Sequence, residues 1–389
     1  MKIIFSLLFL AAAFCSVFSQ TPLYKFASIG DYGKDGANEQ AVSDLVRSWS
    51  PDFVITLGDN NYENGASSTI DLNIGKYYHE FIYPYTGSYG QGDTVNRFFP
   101  SLGNHDWNTA GAVPYLNYFA LPNNERYYDF VKGNVHFYSI DSDPHETDGI
   151  DSSSVQALWL KNKLAASTEK WKIVYFHHPP YTSGSTHGPT LALRWPFKSW
   201  GASIVMAGHE HIYERLSIDN LIYIVNGLGG KSIYPMGTPV TGSLVRYNAD
   251  YGAMLMNVYN DSINFKFINR SGNIIDNYTL NSTVVGIAQT VNEIPGSFNL
   301  DQNYPNPFNP NTVINYSMSE GGFVSLKVYD ILGRIVAAPV NEFKSAGKYS
   351  VNFSGNGLNS GIYYYSIEIT PYENGGRRFT YTRRMILLK

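Results

Sequence analysis

The segment FVITLGDNNY, residues 53–62, decides how this chain is read. Phe53–Leu57 is a short apolar run of the length and composition of a buried strand, and Gly58 ends it where the backbone can turn with positive φ. Just beyond stand Asp59, whose two oxygens can bridge two cations, and Tyr62, whose phenolate is a hard anionic donor better suited to a ferric ion than to Mg²⁺ or Ca²⁺. The same layout, an apolar run followed at once by ligand-type side chains, recurs along the chain. Lys25–Ile29 leads into GDYG (30–33), Phe98–Leu102 into GNHD (103–106), Ile173–Phe176 into HHPP (177–180) and Ile204–Ala207 into GHEH (208–211). Together these segments supply Asp31, Asp59, Tyr62, Asn104, His177, His209 and His211. That is the number and chemical type of donors needed to hold two metal ions side by side, a device suited to displacements at phosphorus. The chain therefore reads as an enzyme.

Each segment alone says little. A Gly-Asp pair after a strand is ordinarily a turn, and the chain carries its own control in Gly92-Asp93, which has Asn96 where the 58–62 segment has its tyrosine and is assigned no function. Tyr62 alone could be a half-buried loop residue, one of 31 tyrosines. Asn104 offers an amide oxygen without adding charge; His105 would then face the substrate, with Asp106 available to orient its ring. His209 and His211 are spaced i, i+2, which in extended chain places them on one side, to serve one metal or two neighbouring ones. Of the adjacent pair, His177 follows its strand directly and is taken as the ligand, leaving His178 to solvent or to a place behind the ligands. His187, in THGP (186–189), lies in a loop that could reach a substrate. His136 reads as a satisfied strand residue, and His79 and His145 as ordinary surface. A turn explains any one segment, but not the whole ligand set in one order at strand ends.

Further strands are expected at His136–Ile140 and Leu221–Val225, and helices at Asn38–Trp49, Ser154–Ser167 and Thr190–Trp200, where apolar residues recur every three or four positions. Strands alternating with helices predict a layered α/β domain, with ligands bound beyond the carboxyl ends of the strands. After Gly242 the helical pattern stops, and Ala253–Phe267 followed by Ile274–Leu280 predicts antiparallel strands closing one edge. Beyond Pro295-Gly296 comes YPNPFNP (304–310), too rich in proline for a helix or central strand. Short strands are then expected at Thr312–Met318, Val324–Tyr329, Gly347–Phe353, Gly361–Ile369 and Phe379–Leu388, turning at Asp330–Gly333 and Ser354–Gly357. These predict a separate small all-β sandwich with no cluster of groups for chemistry.

The 389 residues fit two or three domains, and the formal net charge of -4 gives no sign of a nucleic-acid binder. Lys2, the apolar run Ile3–Phe14 and small residues up to Ser19 have the layout of a secretory signal peptide, too short for a membrane span. Cleavage after Ser19 would leave Gln20 first. A lipoprotein would use Cys15, but Phe14 before it is bulkier than the small residue such sites require. No other long apolar stretch occurs, so no transmembrane segment is expected. Cys15 is the single cysteine, so the mature chain has no disulfide and must be held by its core. The expected organisation is a signal peptide over 1–19, a catalytic domain over 20–285, a linker over 286–300 and a C-terminal β-sandwich over 301–389.

GDYG, GDNNY, GNHD, HHP and GHEH resemble the motif series of the purple acid phosphatases, a branch of the dinuclear metallophosphoesterases. The resemblance covers about Leu23–Leu280 and is strongest to the compact, mammalian-type branch, whose spacing from His177 to HGP (187–189) this chain follows. It implies a layered α-β-β-α sandwich. It places Fe(III) on Asp31, Asp59, Tyr62 and His211, and a divalent ion (Fe, Zn or Mn) on Asp59, Asn104, His177 and His209, with Asp59 bridging. His105 and His187 would be the histidines beside phosphate and leaving group. Other metallophosphoesterases use Asp-x-His in the first motif; here the third position is Gly33, and the Tyr62 phenolate compensates. The implied activity is hydrolysis of small phosphate monoesters by attack of a metal-bound hydroxide. Magnitudes favour metals: monoester hydrolysis requires up to about 10²¹-fold acceleration, whereas one general acid gives about 10²–10⁴. The alternatives are a phosphodiesterase or cyclic-nucleotide hydrolase on the same scaffold, and a non-catalytic surface binding protein. NYPNPFNP (303–310), YDILG (329–333), SGIY (360–363) and RRMILLK (383–389) resemble a type IX secretion sorting domain. That implies a Gram-negative bacterium, with the outer-membrane secretion machinery as partner and a secreted or surface location.

Overall fold

A computed structural model of the chain describes residues 21–282, 297–320, 322–344, 347–371 and 378–388. The expected signal peptide, 1–19, and most of the expected linker, 286–300, lie outside the described residues. The chain divides into two compact units, Met1–Val284 and Val285–Lys389.

In the first unit the described strands are β1 (Tyr24–Ile29), β2 (Phe53–Thr56), β3 (Phe98–Pro100), β4 (Tyr128–Lys132), β5 (Val135–Ser139), β6 (Trp171–Tyr175), β7 (Ile204–Ala207), β8 (Tyr213–Ile218), β9 (Leu221–Asn226), β10 (Ser243–Tyr247), β11 (Gly252–Val258), β12 (Ser262–Asn269) and β13 (Ile274–Asn281). They form a six-stranded sheet, β13-β12-β11-β1-β2-β3, and a seven-stranded sheet, β10-β8-β9-β7-β6-β5-β4. β1, β2 and β3 run parallel in the first sheet, as do β5, β6, β7 and β9 in the second. β2, β5, β7 and β9 are buried along their whole length, as parallel strands covered on both faces must be.

Alternation along each strand divides its side chains between two cores. Phe137, Ile173 and Ile204 face inward with Phe26 and Phe53 of the other sheet. The Phe26 and Phe53 rings stack at 4.9 Å and both meet Phe137 edge-on, at 5.1 and 5.4 Å. Their neighbours Tyr138, Val174 and Val205 face outward against Leu160 and Leu164 of the helix Val155–Ala166. The Ser154 hydroxyl caps that helix, accepting from the Ala157 amide at 3.1 Å. The helix Ala37–Ser48 buries Val42 and Val46 over the first sheet. The order of layers is the expected helix, sheet, sheet, helix.

Three details differ from expectation. Thr190–Trp200 is not one helix: a single 3₁₀ turn, Leu191–Leu193, is followed by the short helix Phe197–Trp200. Pro196 has no amide proton and restrains the residue before it, so the helical period cannot continue through it. Ala253–Phe267 is two strands, β11 and β12, joined by a turn at 259–261. β4, β8 and β10 were not anticipated. β8 hid because its sequence carries Glu214, which is buried only by accepting from Thr182, Ser183 and Ser243.

The second unit is all β where described. β14 (Asn299–Leu300), β15 (Asn311–Met318) and β18 (Gly347–Ser354) form one sheet; β16 (Gly322–Tyr329), β17 (Ile335–Lys344), β19 (Gly361–Pro371) and β20 (Phe379–Leu387) form the other. Period-two burial along β15 and β16 feeds one shared core of Ile314, Tyr316, Val324, Leu326, Tyr365 and Leu387. β17 was not expected from the sequence. Among the described residues, no helix is long and apolar enough to cross a membrane.

Candidate metal centre

Five strands deliver the side chains. Asp31 stands two residues beyond β1, Asp59 three beyond β2, Asn104 four beyond β3, His177 two beyond β6, and His209 and His211 follow β7. The chain turns sharply at these places: Asp31, Asp59 and His209 hold φ of 55°, 55° and 70°, a left-handed conformation that Asp tolerates better than most residues. The preceding glycines let the turns approach one another. A Cβ on Gly103 would overlap the backbone and carboxylate of Asp59, one on Gly58 would strike the His177 ring, and one on Gly208 would meet Asp31 and the Leu57 carbonyl.

All seven expected ligands are brought together. The Tyr62 hydroxyl lies 2.7 Å from Asp59 Oδ2, 3.2 Å from Asp31 Oδ1 and 3.2 Å from His211 Nε2; Asp31 Oδ1 is also 3.2 Å from that nitrogen. On the other side of Asp59, His177 Nε2 lies 3.4 Å from Asp59 Oδ1, 3.0 Å from Asn104 Oδ1 and 3.0 Å from His209 Nδ1. Asp59 thus turns one oxygen to each group. Asp31, Asp59, Tyr62, His177 and His211 are all buried.

The donor set fits cations. His177 Nδ1 faces the Leu57 carbonyl at 2.8 Å; a carbonyl only accepts, so that nitrogen carries the proton and Nε2 presents a lone pair. That lone pair meets the Asn104 oxygen, the Asp59 oxygen and a second imidazole. One proton can serve only one of these contacts, whereas a cation serves all of them. The surrounding carboxylates also favour positive charge at this place. Burial disfavours a charged His177, but Asp59 and Asp31 override it and push the imidazole up to about 10. Burial likewise opposes charge on Asp59, yet His177 holds its carboxyl well below the usual range. Burial, then Asp59 and Asp31, holds the Tyr62 phenol far above its ordinary value. Two sets, Asp31/Asp59/His177 and His177/His178/His209, place one ligand atom per residue within 4.8 Å of each other.

Other expected side chains surround these residues. His105 lies beside the site, its ring 4.3 Å from that of Tyr62. Asp106 does not orient it. Its carboxylate accepts instead from the Gly103 amide at 2.9 Å and from the Asn60 side chain at 2.8 Å, pinning one turn to another, while the Glu63 carbonyl holds His105 Nδ1 at 2.6 Å. His178 is not at the solvent face; it is 8% exposed, with Nδ1 2.9 Å from the Ser142 hydroxyl. Burial, then the neighbouring His177, presses it down to about 3. His187 is exposed, and its ring approaches that of His209 to 4.3 Å. His136, His79 and His145 bond to Asp129, the Gly75 carbonyl and Asp143. Asp93 of the control pair bonds the Thr94 amide and pairs with Arg97.

Several contributors went unread. Ser232 holds His211 Nδ1 at 2.7 Å, and Tyr234 stacks on the His211 ring at 4.0 Å and 5°. Lys231 lies 4.8 Å over the Tyr62 ring and pairs with Glu63. Glu210, fully buried between the expected ligands His209 and His211, accepts from the amides of His187 and Gly188. A charged residue flanked by ligand histidines was the one available signal.

Residues 24–213 match the calcineurin-like phosphoesterase family, and residues 302–374 match the secretion system C-terminal sorting domain. The chain therefore carries a calcineurin-like metallophosphoesterase domain followed by a sorting domain. Within that class its homologues include purple acid phosphatases. It is 24% identical over 240 residues to human tartrate-resistant acid phosphatase type 5, covering 54% of this chain and 74% of that one. To purple acid phosphatase 15 of Arabidopsis thaliana it is 29% identical over 252 residues, covering 53% of this chain and 45% of that one. Among solved structures, a purple acid phosphatase from yellow lupin seeds aligns with TM-score 0.56 at 18% identity, over 67% of this chain and 54% of that one. GAP50, the anchor in the inner membrane complex of Plasmodium, aligns with TM-score 0.54 at 20% identity, over 67% and 89%. These two likenesses concern the fold alone. The acid phosphatase homologues support a hydrolase and imply a dinuclear metal centre, and the sorting domain implies export by the type IX secretion machinery.

Proposed function

We propose that the first unit, taken as 20–285, hydrolyses phosphate monoesters at a pair of cations. The observation that carries this is the convergence of oxygen and nitrogen donors from five strand ends on the two sides of Asp59. Asp31, Asp59, Tyr62 and His211 would hold a ferric ion; Asp59, Asn104, His177 and His209 would hold a divalent one. Such a pair, when bound, supplies an activated water and neutralises charge on the phosphoryl oxygens. The chain's own residues do the rest. The Leu57 carbonyl fixes the tautomer of His177 through its outer nitrogen, and the Ser232 hydroxyl holds the His211 ring in place through its own. The Glu63 carbonyl holds the proton on His105 Nδ1, leaving Nε2 to contact phosphate or to pass a proton. His187, against His209, stands ready on the other flank to protonate the departing oxygen. The second unit, 301–389 after a linker at 286–300, would carry the protein across the outer membrane once the signal peptide is removed, placing the enzyme outside the cell or on its surface.

The test is metal analysis of the purified mature protein together with turnover of p-nitrophenyl phosphate and bis(p-nitrophenyl) phosphate. Two metal equivalents per chain and a strong preference for the monoester are expected. A preference for the diester would move the assignment to a phosphodiesterase, and a protein that binds no metal would leave only a binding role.

A further inference from the structure

Glu210 holds a position that ligand chemistry alone does not explain. It lies between His209 and His211 and is fully buried, yet the hydrogen bonds of its side chain go to a loop. Oε1 accepts from two consecutive backbone amides, His187 N and Gly188 N, each at 2.6 Å. Oε2 is buried with no hydrogen-bond partner. The 183–188 loop wraps the carboxyl so closely that a Cβ on Gly184 would sit 2.5 Å from Oε2. The base of the same loop is tied elsewhere: the Ser183 amide donates to Glu214 at 2.6 Å, and the Gly237 amide donates to the Ser183 carbonyl at 2.8 Å. Glu210 acts on the tip, where His187 is exposed and Gly188 holds φ of 75°.

We propose that Glu210 is a positioning residue, which fixes the backbone of His187 relative to the metal ligands and so determines which leaving groups the centre can expel. The inference rests on the phosphomonoesterase reading and deepens it. Two consecutive backbone amides converging on one oxygen at 2.6 Å fix the direction of the contact as well as its length. This clamp transmits the position of the GHEH turn, fixed by two ligands, directly to the His187 ring 4.3 Å from His209. In the hydrolysis a water oxygen bonds to phosphorus, the ester P–O bond breaks, and the departing oxygen takes a proton from the His187 imidazolium, which the proton released by the water restores. An alkoxide needs that proton; a dinitrophenolate leaves without it. Loss of the clamp should therefore act selectively on poor leaving groups, which loss of general stability would not do.

The experiment compares wild type, Glu210→Ala, Glu210→Gln, His187→Ala and the double variant His187→Ala/Glu210→Ala as metal-loaded full chains. The substrates are an alkyl phosphate and 2,4-dinitrophenyl phosphate, and hydrogen exchange at the His187 and Gly188 amides is followed in the metal-free proteins. Glu210→Ala is expected to lower kcat for the alkyl ester by about 10–100-fold with KM little changed, since displacements near 1 Å cost about 10², and to leave the aryl ester within about 3-fold. The double variant should be no slower than His187→Ala, the two amides should exchange faster in Glu210→Ala, and Glu210→Gln, which keeps an acceptor, should recover much of the loss. Equal losses on both substrates, a fully additive double variant, a His187→Ala without leaving-group selectivity, or unchanged amide exchange would each overturn the proposal. If Glu210→Ala binds less metal, Glu210→Gln decides by the same criteria; loss of metal in both would show that Glu210 supports the ligands instead. Wild type inactive on every phosphate ester would sink the functional reading, while the exchange measurement would still report on the clamp.

Discussion

Left to protein groups alone, the Tyr62 hydroxyl donates to Asp59 at 2.7 Å and stays a phenol, because burial and then the two carboxylates hold its proton far above the ordinary range. Only a strongly Lewis-acidic cation can displace that proton, so uptake of a ferric ion here would release it and create the phenolate that colours iron. Tyr62→Phe keeps the ring, which packs 4.3 Å from His105, and removes only the oxygen. The iron-loaded variant is expected to fold as wild type by circular dichroism but to lose the visible charge-transfer band; a variant that keeps the band would take the phenolate out of the assignment. Tyr62 was legible because it stands three residues from Asp59 in the same turn. The partners of the histidines were not. Asp106 was the visible candidate for orienting His105, being its neighbour in sequence, but the group that does so is a backbone carbonyl at Glu63, 42 positions away. Ser232 and Tyr234 escaped for the same reason: sequence displays side-chain types and says little of which distant loop returns to a ligand.

At the level of strands and turns, the buried parallel strands were readable as apolar runs, whereas β4, β8 and β10, with polar residues among the apolar ones, were not. The helix expected at Thr190–Trp200 failed at Pro196, a stop signal the apolar spacing masked. The glycines were read as turn formers, and this is half of their role. Gly103 has φ of -121°, which any residue adopts, so its small size is needed for another reason: the turn after β2 presses its Asp59 backbone against it. Alanine there must push two turns apart, one carrying Asp59 and the other Asn104. Gly103→Ala is accordingly expected to lower metal affinity by about 10–100-fold, the scale of lost support around ligands, although no ligand is changed. Isothermal titration with Zn²⁺ measures it. Wild-type affinity would mean that these turns tolerate separation and that the close approach does not define the centre.

For the molecule as a whole, the single cysteine lies at position 15, so no disulfide braces the described residues and cohesion must come from burial and from whatever ligands bind. Each unit has apolar cores of its own, two in the first and one in the second. The first also gathers Asp31, Asp59, Tyr62 and three histidines at contact distance. That arrangement offers a cation more donor atoms than its own protons can serve, so metal should be part of the stability of the first unit and irrelevant to the second. A ligand present at about 1,000 times its dissociation constant adds about 4.1 kcal/mol to the native state. For a domain of this size, a kilocalorie moves Tm by about 2–4 °C, so chelation should lower the transition of the first unit by roughly 10 °C. Calorimetry of the mature protein with and without a chelator is expected to show one transition that moves and one that stays. The two halves of the result answer different questions. An unmoved first transition would mean that the convergence at Asp59 holds no cation of consequence. Two transitions moving together would mean that the sorting unit does not melt on its own, and that the linker expected over 286–300 does not mark a folding boundary.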